Sequence, residues 1–206
     1  MAASSVSFYA VAVGDSPGVY ESEEAAVAAT GSHPVPLRVT YGDRPAAQAF
    51  VDFLQDVKAV VYTDGSCTQN GKPGARAGVG VFWGSDDARN VARRASGDQT
   101  NNVAELEGIE DALDTILLDD GLVRAPVALV SDSSYSINCL TKWYAGFVRR
   151  AWKTAGGDDV KNKTAIARIK AKLDRASLVR LVHVRGHVGH VGNHAADALA
   201  VAGGKM

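Results

Sequence analysis

The chain predicts an α/β fold, a mixed five-stranded sheet flanked by helices, with a small α+β unit of ββαβα pattern in front of it. Three observations carry this expectation. Extended segments come first in antiparallel order and later alternate with helical stripes. One nearly all-apolar strand, Val127–Ser131, reads as covered on both faces. The charge also divides along the chain. Residues 1–57 hold two basic against seven acidic side chains, a net of −5, whereas the remainder holds 20 basic and 16 acidic, a net of +4. A boundary near residue 57 follows, giving units 1–57 and 58–206.

In the first unit, FYAVAV (8–13) alternates and is rich in aromatic and β-branched types, and the Gly14–Gly18 turn returns the chain to Val19 and Tyr20 as a hairpin. Ser22 caps a helix with Glu23 and Glu24 in its first turn, which runs to Gly31. Leu37–Tyr41 is a third strand, and a second helix starts near Pro45.

In the second unit, AVVYTDGSC is a strand ending in a polar turn, followed by AGVGVFWG and NVARRAS to complete an antiparallel meander. Leu106, Ile109, Leu113, Ile116 and Leu117 form one apolar stripe of a helix beginning near Asn102. Ser133 starts another helix after VALVS, a further one spans about 162–174, LVRLVHV (178–184) is the last strand, and Asn193 caps a helix through Ala202.

At 206 residues and 46% hydrophobic content, one full domain and a small second one can each bury apolar surface. No run approaches the ~20 apolar residues of a membrane span, and the first residues lack the basic start of a signal peptide, so an intracellular protein with no membrane contact is expected. Cys67 and Cys139 match no metal spacing and read as reduced, packed thiols. Residues 142–175 carry ten Lys or Arg against three Asp, a net of +7, and this is where a polyanion should touch the protein.

Four acids stand at points where strand ends and helix starts converge on one rim of such a sheet: Asp64 in the first strand of the meander, Glu105 in the first turn of the central helix, Asp132 after VALVS, and Asp197 in the first turn of the last helix. Taken singly, each is an ordinary turn or capping residue. Gathered, they would raise one another's pKa unless cations neutralised them. Magnesium prefers hard oxygen ligands, and two ions ~4 Å apart can serve both the attacking water and the leaving oxygen of a phosphodiester. His187, His190 and His194 also have spacings that could hold zinc, but no glutamate stands beside them as a general base.

YTDGS, TNNVAEL, SDSSY and GHVGHVGNHAAD, in this order and spacing, resemble the four acidic motifs of the type-1 ribonuclease H family over residues 59–203. The resemblance implies a ribonuclease H-like fold and hydrolysis of the RNA strand of RNA–DNA hybrids, leaving 3'-hydroxyl and 5'-phosphate ends. It implies Asp64, Glu105, Asp132 and Asp197 as metal-binding catalytic carboxylates for two Mg2+ ions, with Mn2+ as a substitute, and His187 as the histidine assisting proton transfer or product departure. Asn70, Asn101 and Asn102 match positions contacting ribose hydroxyls, consistent with an amide offering both a donor and an acceptor. Thr100 and Asn162 match the DNA-phosphate pocket, Trp143 and Phe147 the aromatic channel beneath the deoxyribose, and Ser134 a position where a longer side chain often reaches the RNA. Asp98 departs from the pattern, standing where an arginine usually lies. Residues 6–54 resemble the hybrid-binding, viroplasmin-like domain that precedes many eukaryotic members. Glu23 replaces an aromatic there and the basic cluster is reduced to Arg38, so weak or lost nucleic-acid affinity is expected, with a protein partner as the alternative. A monomer is expected.

Overall fold

A computed structural model describes residues 7–186 and 190–206. The N-terminal unit follows the expected order: β1 (Phe8–Val13), β2 (Gly18–Tyr20), α1 (Glu23–Thr30), β3 (Leu37–Tyr41) and α2 (Arg44–Leu54), with its three strands ordered β2-β1-β3, all antiparallel. The Ser22 hydroxyl accepts from the Ala25 amide and the Asp43 carboxylate from the Ala46 amide, so both helices start where a side chain satisfies an otherwise orphaned donor.

The second sheet holds β4 (Ala59–Thr68), β5 (Arg76–Phe82), β6 (Val91–Arg94), β7 (Val127–Ser131) and β8 (Val179–His183) in the order β6-β5-β4-β7-β8. The β4/β5 and β5/β6 pairs are antiparallel, whereas β4/β7 and β7/β8 are parallel. The helices are α3 (Asn101–Leu118), α4 (Ser134–Leu140), α5 (Tyr144–Arg149), α6 (Lys163–Arg175) and α7 (Val191–Gly203). Period-two alternation sorts the strands between two cores. Val61, Val81 and Leu129 face α3 and α6 with Leu106, Ile109, Leu113, Ile166 and Ile169. Val60, Tyr62, Phe82, Ala128, Val130 and Val182 face the other way, toward Ala196 of α7 and toward Ala12, Val35, Leu37 and Leu54 of the N-terminal unit.

The N-terminal unit is thus packed against the larger sheet. Only residues 55–58 connect α2 to β4. The Tyr62 hydroxyl donates to the Pro36 carbonyl at 2.5 Å, and Arg180 pairs with Asp56 at 2.6 Å while lying over the Phe53 ring at 4.6 Å. Removing residues 1–57 would uncover part of an apolar sheet face.

Two departures from the sequence reading concern the strand and helix that carry acids. The Asp-Gly-Ser triplet is not a turn, because β4 continues through it to Thr68 in register with β5, pairing Asp64 with Gly80 and Gly65 with Val79. The last helix begins at Val191 with His190 in the N-cap position, so Asn193 lies inside it and buried, and Asp197 falls in its second turn. Gly192 explains the earlier start, since a Cβ there would lie 2.3 Å from the Tyr62 ring and only glycine lets this first turn settle on β4.

Glycine also sets the distance between α7 and the sheet. A Cβ on Gly80 would lie 2.0 Å from the Ala196 carbonyl oxygen and 2.6 Å from the Ala200 nitrogen, both backbone atoms that cannot yield without moving the helix. Gly80→Ala should therefore destabilise the chain by about 3 kcal/mol in urea unfolding. Gly42→Ala, where an added Cβ meets nothing within 4 Å, should change stability by less than about 0.5 kcal/mol.

Candidate active site

The acidic centre follows from strand register. Thr63 of β4 and Ser131 of β7 are parallel partners, so Asp64 and Asp132 come next in line on neighbouring strands, on the same face. Glu105 arrives from α3, which packs on the opposite face. Gly65 lets it through, because a Cβ at that position would stand 2.4 Å from the Glu105 amide nitrogen and 2.8 Å from the Ala104 carbonyl carbon. Asp64, Glu105 and Asp132 each place a carboxylate oxygen within 4.8 Å of the others, and among the described residues no other such group of His, Cys, Asp or Glu exists. The zinc alternative for His190 and His194 gains no support from the described residues. Glu105 is the fifth residue of α3, one residue further in than a start at Asn102 would place it, since the helix begins at Asn101 and is capped by the Thr100 hydroxyl accepting from the Val103 amide.

Each carboxylate is aimed by a neighbour. Asp64 Oδ1 accepts from the Gly65 amide at 2.8 Å, Glu105 Oε1 from Asn101 Nδ2 at 3.2 Å, and Asp132 Oδ2 from Asn193 Nδ2 at 3.1 Å. Glu105 Oε2 is buried and has no hydrogen-bond partner among the described residues. Burial, followed by the Asp132 charge and more weakly the Asp197 charge, pushes the Asp64 carboxyl up to about 7. Glu105 is raised well above the ordinary carboxylate range by burial and then by Asp64 and Asp132. Asp197 stands outside the 4.8 Å group but close enough for its charge to act on Asp64. Clustered hard oxygens, one without a partner and two reluctant to ionise unaided, fit a divalent cation. Asn193 was read from the sequence only as a cap; its burial and its bond to Asp132 make it a positioning residue that no motif spacing marked.

Around this centre, Asn70 Oδ1 accepts from the Asn101 amide at 3.2 Å, tying the β4–β5 loop to the start of α3. Asn102, Trp143 and Phe147 line one groove of about 470 Å³. Trp143 is 39% exposed, whereas Phe147 is buried and stacks with Trp152, so one aromatic presents a face and the other supports it. Asn162 adopts a left-handed conformation (φ +60°) before α6, and its amide donates to the Tyr135 hydroxyl at 3.2 Å. The Ser134 hydroxyl lies 2.8 Å from His183 Nε2. Asp98 is exposed beside Thr100. His187 lies outside the described residues. The basic stretch is partly neutralised: Arg168 and Lys172 pair with Glu110, and Lys172 also with Asp114. Lys142, Arg149, Lys161 and Lys163 form no ion pair among the described residues. No described helix is long and apolar enough to cross a membrane.

Fold and centre together define a mixed-sheet α/β protein with an acidic divalent-cation centre at the rim of its sheet. The RNase H family profile matches residues 56–205, and the chain belongs to that family. It is 36% identical over 175 residues to ribonuclease H1 of Mus musculus, covering 84% of this chain and 60% of that protein. It is 42% identical over 144 residues to ribonuclease H of Schizosaccharomyces pombe, covering 69% of this chain and 52% of that one. The chain thus spans between half and 60% of these relatives' length. Among solved structures, LC11-RNase H1 in complex with RNA/DNA hybrid superposes with a TM-score of 0.50 at 25% identity, covering 72% of this chain and 97% of that one.

The charge balance of the centre gives a signed prediction. Without a cation, Asp64 holds its proton to about pH 7 in the folded chain but loses it near its ordinary value when unfolded, so stability falls as pH rises between roughly 4 and 7. Added Mg2+ should therefore raise the melting temperature more at pH 8 than at pH 5. Asp64→Asn should raise the cation-free melting temperature at pH 8, by about 2–4 °C per kcal/mol of repulsion removed, and shrink the Mg2+ response. A Mg2+ response equal at both pH values would contradict this assignment.

Proposed function

We propose that this chain is a magnesium-dependent endoribonuclease that hydrolyses the RNA strand of RNA–DNA hybrids, leaving 3'-hydroxyl and 5'-phosphate ends. The observation that carries the reading is the meeting of buried Asp64 and Glu105 with half-buried Asp132 within 4.8 Å. Asp64, Glu105, Asp132 and Asp197 would hold two Mg2+ ions, with Mn2+ a substitute. Bound there, magnesium supplies hard positive charge that polarises a phosphoryl oxygen and acidifies water. The chain's own part is positional. Gly65, Asn101 and Asn193 hold one oxygen of each central carboxylate, leaving the others, Glu105 Oε2 among them, for ligation. His187 is assigned proton transfer or product departure by family resemblance.

Substrate choice is assigned to Asn70, Asn101 and Asn102 on the ribose hydroxyls of the RNA strand, with Ser134 at its edge. Thr100 and Asn162 are assigned to a DNA phosphate, and Trp143 over Phe147 to the deoxyribose. We divide the chain into a unit of residues 1–57 and a catalytic unit of residues 58–206. The first, at −5, contributes little general affinity for a duplex carrying one charge per ~1.7 Å, and a protein partner is the alternative use of its acidic surface. The chain is expected to act as a monomer inside the cell.

Labelled RNA–DNA hybrid, RNA duplex and DNA duplex incubated with the full chain and Mg2+ test this reading. Only the RNA of the hybrid should be cut, and cutting all three or none overturns it. Asp132→Asn should lower cleavage by about a thousandfold or more while keeping the fold by circular dichroism and the hybrid Kd within about threefold.

A further inference from the structure

An exposed turn in front of α3 is held by a buried carboxylate that the acidic centre does not use. Ser96, Gly97 and Asp98 are exposed, whereas Glu107, in the second turn of α3, is only 7% exposed and reaches toward them. Its oxygens accept from the Ser96 amide and the Ser96 hydroxyl, both at 2.9 Å, from the Gly97 amide at 2.8 Å and from Arg93 Nη1 at 2.6 Å. Arg93 is itself fixed, because its Nε and Nη2 donate to Asp111 one helical turn further along. Gly97 stands so close that a Cβ there would lie 3.3 Å from Glu107 Oε1 and 3.1 Å from Val103.

The other side of the same turn is fastened to the sheet. Gln99 Oε1 accepts from the Ala77 amide of β5 at 3.0 Å, and its Nε2 donates to the Ala95 and Gly97 carbonyls at 2.9 and 3.0 Å. The Gln99 carbonyl accepts from the Cys67 thiol of β4 at 3.4 Å. Immediately after the turn come residues assigned to the substrate: Thr100 caps α3, the Asn101 amide donates to Asn70, and the Asn101 side chain donates to Glu105. A helix frays at its first turn, where four backbone amides lack intrahelical partners. Asn101 and Asn102 stand in that turn, so their order depends on what fixes the chain just before them. Glu110, one turn beyond Glu107, supplies a contrast: it is equally buried, but it pairs with Arg168 and Lys172 of α6, joining helix to helix and leaving the turn untouched.

We propose that Glu107 is a positioning residue for the asparagines assigned to the sugar: its grip on Ser96 and Gly97 keeps the first turn of α3 from fraying, and so holds Asn101 on Glu105 while it meets a ribose hydroxyl; this rests on the hybrid substrate inferred above. Gln99 completes the clamp from the sheet side. Glutamine at position 107 would keep the shape but offer one acceptor oxygen and an NH2 group, setting donors against the Ser96 and Gly97 amides.

Steady-state cleavage of an RNA–DNA hybrid by the full chain and its variants tests this. Glu107→Gln should raise KM about three- to tenfold with kcat held within about twofold, because contacts to the sugar made in both the bound and the transition state are weakened together. Glu110→Gln should lower the melting temperature as Glu107→Gln does, yet leave KM within about twofold. Asn101→Ala should cost less in kcat/KM in the Glu107→Gln background than in the parent, the mark of two residues acting as one unit. Amide exchange at Val103, which donates to the Thr100 hydroxyl, should quicken in Glu107→Gln and not in Glu110→Gln. Should Glu107→Gln fail to fold, Ser96→Ala, which removes only the hydroxyl donor, decides in its place with a KM rise of about two- to threefold. An unchanged KM, an equal KM rise in Glu110→Gln, or additive losses with Asn101→Ala, while the parent chain cleaves hybrid, overturns the clamp and leaves the proposed activity standing. A parent chain that cleaves no hybrid overturns both.

Discussion

Like charge held at short range is the constraint around which the larger unit is built. Asp64, Glu105 and Asp132 share a space under 5 Å across, and each ionised pair at that distance opposes the fold by roughly 3 kcal/mol at an effective dielectric of about 20. The opposition is met from both faces of the sheet. On one face α3 approaches β4 closely enough to insert Glu105, which Gly65 permits. On the other α7 lies on the backbone of β5 at Gly80, bringing Asn193 to Asp132 and Asp197 toward Asp64. Two apolar cores, one per face, hold these helices down, so the cluster is imposed by packing that is indifferent to its charge. The raised pKa of Asp64 and of Glu105 follows from burial and from the neighbouring carboxylates that this packing forces together.

Most of the fold was legible because its signals are local. Alternation marked β1, a nearly all-apolar run marked β7, the apolar stripe marked α3, and the ββαβα order of the first unit followed from caps and turns. The failures are equally physical. Asp-Gly-Ser carries turn composition, yet β4 runs through it because the glycine is needed for the approach of a helix and not for a bend. Asn193 has the composition of a cap, but tertiary contact places Gly192 against Tyr62 and carries the helix start back to Val191. The short α5 (Tyr144–Arg149) has too few residues to show a period. At the site, the acids were marked by motif order, whereas their supports were not, since nothing local distinguishes an asparagine that orients a carboxylate from one that caps a helix.

The docking of the two units was invisible for a related reason. Val35, Leu37 and Leu54 read as the core of a small domain, and Val60, Tyr62, Phe82 and Val182 as one face of a sheet, and both descriptions are correct. Their meeting depends on the short connection at residues 55–58 and on Arg180 engaging Asp56 and Phe53, contacts spanning more than 120 residues of chain. Charge was likewise misleading when counted by segment. The +7 of residues 142–175 is partly spent on Glu110 and Asp114 of α3, and the −5 of residues 1–57 conceals an arginine facing the larger unit.

One chain of hydrogen bonds links the residues assigned to substrate choice with those assigned to the cation. Asn70 accepts from the backbone of Asn101, and the Asn101 side chain donates to Glu105, whose second oxygen is buried and unpartnered. A buried acceptor without a partner costs about 1–3 kcal/mol, a cost recovered when a ligand meets it. Asn101 therefore cannot shift to engage a ribose hydroxyl without moving the Glu105 carboxylate, and Glu105 cannot reorient toward a cation without drawing on Asn101. Geometry at the start of α3 thus couples the group assigned to the sugar to the group assigned to the cation, across a single side chain.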